Sequence, residues 1–190
     1  MNTHTLAFPL LMLAAGVLWL SGHREPAGDA HALSAAELRT LLQEMEQLLA
    51  LSAGAATVFA FAPYRLFLLM PLLLALLLEL VQRWPQRAFL LGYGWALAAY
   101  TSNFYWIYIS LHDIGGMPAP MAGAMTLLLP AWLALFPALA VWRACRIGTS
   151  SASRWLLLFP ALWTLGEWLR SWMLTGFPWG AIGYSQITES

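Results

Sequence analysis

Apolar residues run along most of this chain, interrupted by short clusters of Arg, Pro, Gly and Ser. The first apolar run, Leu6 to Leu20, has about the minimum length that spans a bilayer. It reads as a membrane helix more readily than as a signal-peptide core. Met1 to Thr5 carries no Lys or Arg, and the small-residue triplet Ala30-His31-Ala32 lies far downstream for a cleavage site. Ser21 to Leu33 is a polar linker, so residues 1–33 form a hydrophobic N-terminal helix (signal or transmembrane) plus its linker.

Ser34-Ala35-Ala36-Glu37 is the signature of a capping box. It opens a helix with Leu38, Leu41, Leu42, Met45, Leu48 and Leu49 at three- and four-residue spacing and Glu37, Glu44 and Glu46 elsewhere. This pattern predicts an amphipathic surface helix over 34–47. A span over Leu48 to Ala62 follows directly, and Pro63 ends it. The pattern then predicts further spans over Leu66–Leu80, Ala88–Leu111, Pro118 to about Trp142 with kinks at Pro130 and Pro137, and Trp155–Trp172. Tyr100, Thr101, Ser102, Asn103, Tyr105, Trp106 and Tyr108 crowd the second half of the Ala88–Leu111 segment. Such groups are expected to face protein or a cavity, because unpaired polar groups in hydrocarbon cost several kcal/mol. The reading is an all-α, polytopic transmembrane bundle of about five to six spanning helices.

Composition agrees: 61% of residues are hydrophobic and 9% charged, against about 25% charged in soluble domains. The nine cations are all Arg and balance nine acids, which excludes a polyelectrolyte such as nucleic acid as the expected partner. Cys145 is the one cysteine, so no intramolecular disulfide and no CxxC site exists in this sequence. His4, His23, His31 and His112 show no metal-ligand spacing. No cofactor and no metal are expected. Arg24, Arg39, Arg83, Arg87, Arg143, Arg146 and Arg154 fall on one side of the predicted spans, with only Arg65 and Arg170 near the other. That asymmetry puts the first set in the cytoplasm. The turns Phe61–Tyr64, His112–Gly116 and Gly176–Trp179 then lie together on the periplasmic side of a bacterial inner membrane.

Candidate chemistry is sparse. Glu167 and Arg170 stand at i and i+3 inside an apolar helix and can share one face. An ionisable pair in a span marks a functional site by default, although a structural pair that fixes packing is the plainer reading. Phe177, Trp179 and Tyr184 follow in a turn with Gly176 and Pro178. They suit an interfacial aromatic belt or the lining of a lipid entry. His112-Asp113 lacks the His-x4-Asp spacing of an acyltransferase dyad, since Met117 occupies the fifth position. Cys145 has neighbouring Arg143 and Arg146 but no base to activate it. No catalytic residue is assigned.

Several short motifs in one order carry a resemblance. They are Phe61-Ala62-Pro63-Tyr64, Tyr105-Trp106-Ile107 with Leu111-His112-Asp113, and Leu162-Trp163-Thr164 through Glu167-Trp168-Leu169-Arg170. Thr175-Gly176-Phe177-Pro178-Trp179 and Gly183-Tyr184-Ser185-Gln186 complete the set. From about Ala53 to Gln186 the chain resembles the N-terminal membrane domain of bacterial apolipoprotein N-acyltransferases. The resemblance implies an acyltransferase of lipoprotein biosynthesis that takes an acyl chain from a membrane phospholipid. The acyl chain passes through a cysteine thioester to the α-amine of a lipoprotein's N-terminal diacylglyceryl-cysteine. It places the catalytic Glu, Lys and Cys in a nitrilase-like domain, to be supplied in cis or trans. The expected organisation is therefore 1–33, 34–47 and an N-acyltransferase-like membrane domain over 48–190 that precedes the nitrilase-like part. With no Lys in the sequence, this chain alone is expected to be inactive. Glu167, Arg170, Phe177, Trp179, Tyr184, His112 and Asp113 are expected to line a lipid entry or support the catalytic domain. The alternative is a non-catalytic membrane scaffold or interaction protein derived from a truncated gene.

Overall fold

The computed structural model describes residues 34–147, 150–173 and 176–186. The Leu6–Leu20 run, the linker to Leu33, Gly148–Thr149, Leu174–Thr175 and the last four residues lie outside them. The described residues form eight α-helices: α1 (Ala35–Ala56), α2 (Leu69–Arg83), α3 (Ala88–Asn103), α4 (Trp106–Ile109), α5 (Ala119–Leu133), α6 (Leu135–Ile147), α7 (Ser151–Ser153) and α8 (Phe159–Arg170). Short 3₁₀ and π segments join several of them, and no strand occurs among the described residues.

The start of α1 is the capping box that the sequence predicts. The Ser34 N–H donates to Glu37 Oε2 at 2.8 Å, and the Glu37 N–H donates back to Ser34 Oγ at 3.3 Å. The segments expected as a surface helix over 34–47 and a separate span from Leu48 form one continuous helix to Ala56. Leu38, Leu42, Met45 and Leu49 are exposed along its length up to Leu49, and its last two turns bury Ala50, Ala53, Gly54 and Ala55.

The packing centre is α3, which lies against α1, α2, α5 and α6. Small residues let the backbones approach closely, as in membrane bundles. A Cβ on Gly54 would sit 2.0 Å from the Trp95 carbonyl oxygen, and one on Gly92 would sit 3.2 Å from the Ala138 Cα. α8 packs on α6, which packs on α3. The core between them is apolar, with Leu77, Leu91, Leu133, Val81 and Val141 fully buried.

The Ala88–Leu111 segment does not continue as one helix. It breaks at Phe104 and resumes as α4, then as a π segment over Ser110–Ile114. The expected loop at His112–Gly116 is thus partly helical. Tyr100, Thr101 and Ser102 are buried in protein, as their polarity requires, while Trp106 is exposed.

The segment from Pro118 onward breaks once, at Ala134. Pro137 has no N–H for the Leu133 carbonyl, so the ladder fails there; Pro130 is accommodated inside α5. Together α5 and α6 make a stretch of 29 residues, Ala119–Ile147, the one such helix among the described residues long and apolar enough to cross a membrane. A π segment, Arg154–Leu158, leads into α8, because Pro160 likewise offers no N–H to Leu156.

Candidate functional site

The last turn of α8 carries Glu167 and Arg170, and the chain that follows folds back over them. Arg170 is 2% exposed. Its Nη1 donates to two backbone carbonyls of the returning turn, Phe177 O at 3.0 Å and Trp179 O at 2.8 Å. The Phe177 N–H donates to the Arg170 carbonyl at 3.0 Å, which closes the turn on the helix end. The guanidinium also lies over the Tyr100 ring, 5.6 Å from its centroid, a favourable position for a desolvated cation.

Glu167 performs the matching task from one turn earlier. Its Oε1 accepts from the Ile182 N–H at 2.9 Å and from Trp163 Nε1 at 3.2 Å. The Glu167–Arg170 approach, Oε1 to Nη2, is 3.9 Å: it balances charge but is too long for a hydrogen bond. The two side chains are therefore a clamp on residues 177–182, with the ion pair secondary.

The glycines of the turn are required by geometry. Gly176 has φ +81° and Gly180 φ +72°, values that side chains rarely tolerate. A Cβ on Gly180 would also meet Phe104 Cζ at 2.7 Å. Phe104 stacks on Tyr100 (centroids 5.6 Å apart) and meets Phe177 edge-on (5.1 Å). The turn thus sits on the break after α3. Beyond it, Gln186 Nε2 donates to the Phe67 carbonyl at 3.1 Å, which ties the end of the described chain to the residues after the Phe61–Tyr64 turn. Pro63, Tyr64, Asn103, Tyr105 and Trp106 share a pocket of about 180 Å³. Two of the motifs quoted above therefore meet in space.

Of the candidate residues, Glu167, Arg170, Phe177 and Trp179 form one constellation. Tyr184 is exposed and lies in a 3₁₀ turn just beyond it. His112 and Asp113 have no hydrogen bond to the clamp: His112 Nδ1 contacts the Met117 carbonyl at 2.7 Å, and Nε2 lies 3.9 Å from Asp113 Oδ1 at the surface. Sequence reading missed Tyr100, Phe104 and Trp163 as members. Trp163 stands four residues before Glu167, and that spacing is a usable signal. Tyr100 and Phe104 come from another helix, and their part depends on tertiary packing. Among the described residues no group of three or more His, Cys, Asp or Glu could hold a metal ion.

The arrangement defines a class: an all-helical bundle with exposed apolar faces, in which buried Arg170 and half-buried Glu167 hold an aromatic turn against the end of α8. Residues 53–190 match the family model described as the apolipoprotein N-acyltransferase N-terminal domain, and the chain belongs to that family. It is 69% identical over 138 residues to the apolipoprotein N-acyltransferase of Chromobacterium violaceum, covering 73% of this chain and 27% of that protein. Identity is 49% over 135 residues with the protein of the same name from Neisseria meningitidis serogroup B (71% and 26%). With that of Methylococcus capsulatus it is 45% over 141 residues (73% and 28%). The chain thus spans 26% to 28% of the length of these relatives.

Proposed function

We propose that this chain is the multi-pass membrane domain of an apolipoprotein N-acyltransferase, serving as the anchor and outer-face platform for acyl transfer from phospholipid to lipoprotein. The observation that carries this reading is the clamp. Two ionisable side chains in an apolar helix are used to hold a turn in a fixed re-entry path, not to exchange protons. In the family reading, residues after this turn lead to the catalytic domain. The clamp sets where the chain leaves the bundle.

Five to six spanning helices fit the outward apolar faces. Leu72, Leu128, Leu156 and Leu157 are all more than 60% exposed, a surface suited to lipid and costly in water. The Arg side chains at the opposite end snorkel onto rings: Arg143 and Arg146 approach Trp142, and Arg154 approaches Trp155. That supports a cytoplasmic position for this end and a periplasmic one for the Gly176–Trp179 turn. The division into 1–33, 34–47 and 48–190 belongs to the same reading, as does inactivity of the chain by itself, since no Lys is present to complete a Glu–Lys–Cys set.

A chimera tests the platform role. Residues 53–186 of this chain replace the matching region of the Chromobacterium violaceum relative, and N-acylation of a lipopeptide is measured. Activity close to that relative's own is expected, with no product from the 190-residue chain alone. An inactive but correctly inserted chimera, or acyl-thioester formation on Cys145, would overturn the reading.

A further inference from the structure

Between the end of α1, α3 and α8 lies a cleft of about 20 Å³, walled by Thr57, Met70, Trp95, Asn103 and Trp163. That is room for a water molecule and for nothing larger. The polar groups on its wall are unevenly paired. Trp95 is 3% exposed, and its Nε1 is buried with no hydrogen-bond acceptor. The other indole at the cleft, Trp163, gives its Nε1 to Glu167. Asn103 uses both of its amide N–H groups, on Thr57 Oγ1 at 3.0 Å and on the Ala99 carbonyl at 2.8 Å, which leaves its Oδ1 as an acceptor. Thr57 Oγ1 donates to the Gly54 carbonyl at 2.7 Å and keeps a second lone pair.

One wall thus carries a donor that needs an acceptor, and the other carries acceptors. Buried donors are almost always paired, and a water can accept from one group while donating to two. We propose that this cleft is a binding site for one ordered water, which accepts from Trp95 Nε1 and donates to Asn103 Oδ1 and Thr57 Oγ1. The cleft is not sealed, since Phe61, Asn103 and Ile182 on its wall are half-buried. The water joins the end of α1 to α3 where Gly180 and Ile182 of the returning chain close over them. It is a polar bridge under the turn, separate from the hydrogen bonds of Arg170 and Glu167. The competing arrangement is local. Trp95 and Trp163 meet edge-on with centroids 6.1 Å apart, so the N–H could instead face the Trp163 ring, a weaker contact.

The test uses the full chain in detergent micelles with isotope-labelled tryptophan, and the Trp95 indole signal is assigned by its loss in Trp95→Phe. Rotating-frame cross-relaxation from water should give a peak at the Trp95 indole proton, with the sign of a bound water and not of proton exchange. Asn103→Leu removes one acceptor and should weaken that peak about fivefold, the effect of one hydrogen bond on occupancy. Leu156→Ala, at the lipid-compatible surface, should leave it unchanged. X-ray radiolysis in heavy-oxygen water reads the unmodified chain independently. Met70 is 2% exposed, yet radicals formed from a water in the cleft should oxidise it and add the heavy oxygen.

A Trp95 indole proton shifted upfield with no water peak would place the N–H on the Trp163 ring and overturn the proposal. No water peak together with an unoxidised Met70 would overturn it as well. A peak undiminished in a folded Asn103→Leu protein would remove Asn103 from the site. Should that variant fail to fold, the water peak and the Met70 oxidation of the unmodified chain still decide.

Discussion

Arg170 donates to the carbonyl of Trp179 at 2.8 Å, across nine residues of chain. The side chain that most resembles half of an intramembrane ion pair is thus engaged chiefly with backbone. A turn that passes over a buried guanidinium must present carbonyls to it, and Gly176 and Gly180 provide the left-handed φ values that aim them there. Arg170 thus holds Phe177 and Trp179, while Glu167 holds the chain a few residues further on, at Ile182.

Arg170→Ala should therefore be the most damaging single change. It removes two charge-assisted hydrogen bonds and leaves Glu167 without its balancing cation, a loss of about 3 kcal/mol. Unfolding by sodium dodecyl sulfate, followed by helical circular dichroism, measures it. Arg170→Lys keeps the charge but not the planar fork and should recover less than half of the loss. Full recovery by Lys would mean that charge alone matters.

Glu167 separates the acceptor role from the charge role. Its Oε1 accepts from Ile182 N–H and Trp163 Nε1, and a Gln side-chain oxygen can accept both. Glu167→Gln should cost about 1 kcal/mol or less, while Glu167→Ala should cost about 2 kcal/mol by leaving the Ile182 and Trp163 donors unmet. Thermal unfolding of the three proteins in one detergent checks the order. Equal loss in both variants would assign the role to the 3.9 Å ion pair.

Gly54→Ala tests the helix contact at the packing centre. The added Cβ would stand 2.0 Å from the Trp95 carbonyl oxygen, and backbone cannot move aside as a side chain can. Separation of α1 from α3 should cost about 3 kcal/mol. A cysteine pair across the α1–α3 contact, read by cross-linking yield, should lose efficiency in the variant. The cost of Gly123→Ala, with nothing within 4 Å of the added atom, should be near zero.

The capping box gives a pH dependence with a definite sign. Hydrogen bonds from the Ser34 hydroxyl and then from the Ser34 N–H hold the Glu37 carboxyl below its ordinary value. A depressed carboxyl stabilises the helix start fully above the ordinary glutamate pKa. That contribution fades as pH falls through the lower folded value. Amide exchange over Leu38–Leu41 should accelerate, relative to its intrinsic rate, as the pH falls through that window, and Ser34→Ala should remove the pH dependence. A protection factor that is flat with pH in the unmodified chain would contradict this.

Local signals in the sequence determined the helices that stand at capping and proline positions. Ser34 and Glu37 start α1, Pro137 interrupts the α5–α6 stretch, and the apolar runs mark the elements as helical, because each depends on neighbours within about one helical turn. The motif around Glu167 and Arg170 was also legible, since two charges in an apolar helix stand out in composition.

Tertiary structure decided what those charges do. The three-residue spacing permits an ion pair, but the returning chain offers better partners, the Phe177 and Trp179 carbonyls and the Ile182 N–H. It decided also the break at Phe104, where no Pro or Gly gives warning. The Phe104 ring lies against Tyr100 and Phe177 and beneath Gly180, so the contacts that accompany the break belong largely to residues more than seventy positions away. Backbone hydrogen bonding is local and leaves its mark on adjacent residues. The choice among competing partners for a buried side chain is made only when distant segments pack.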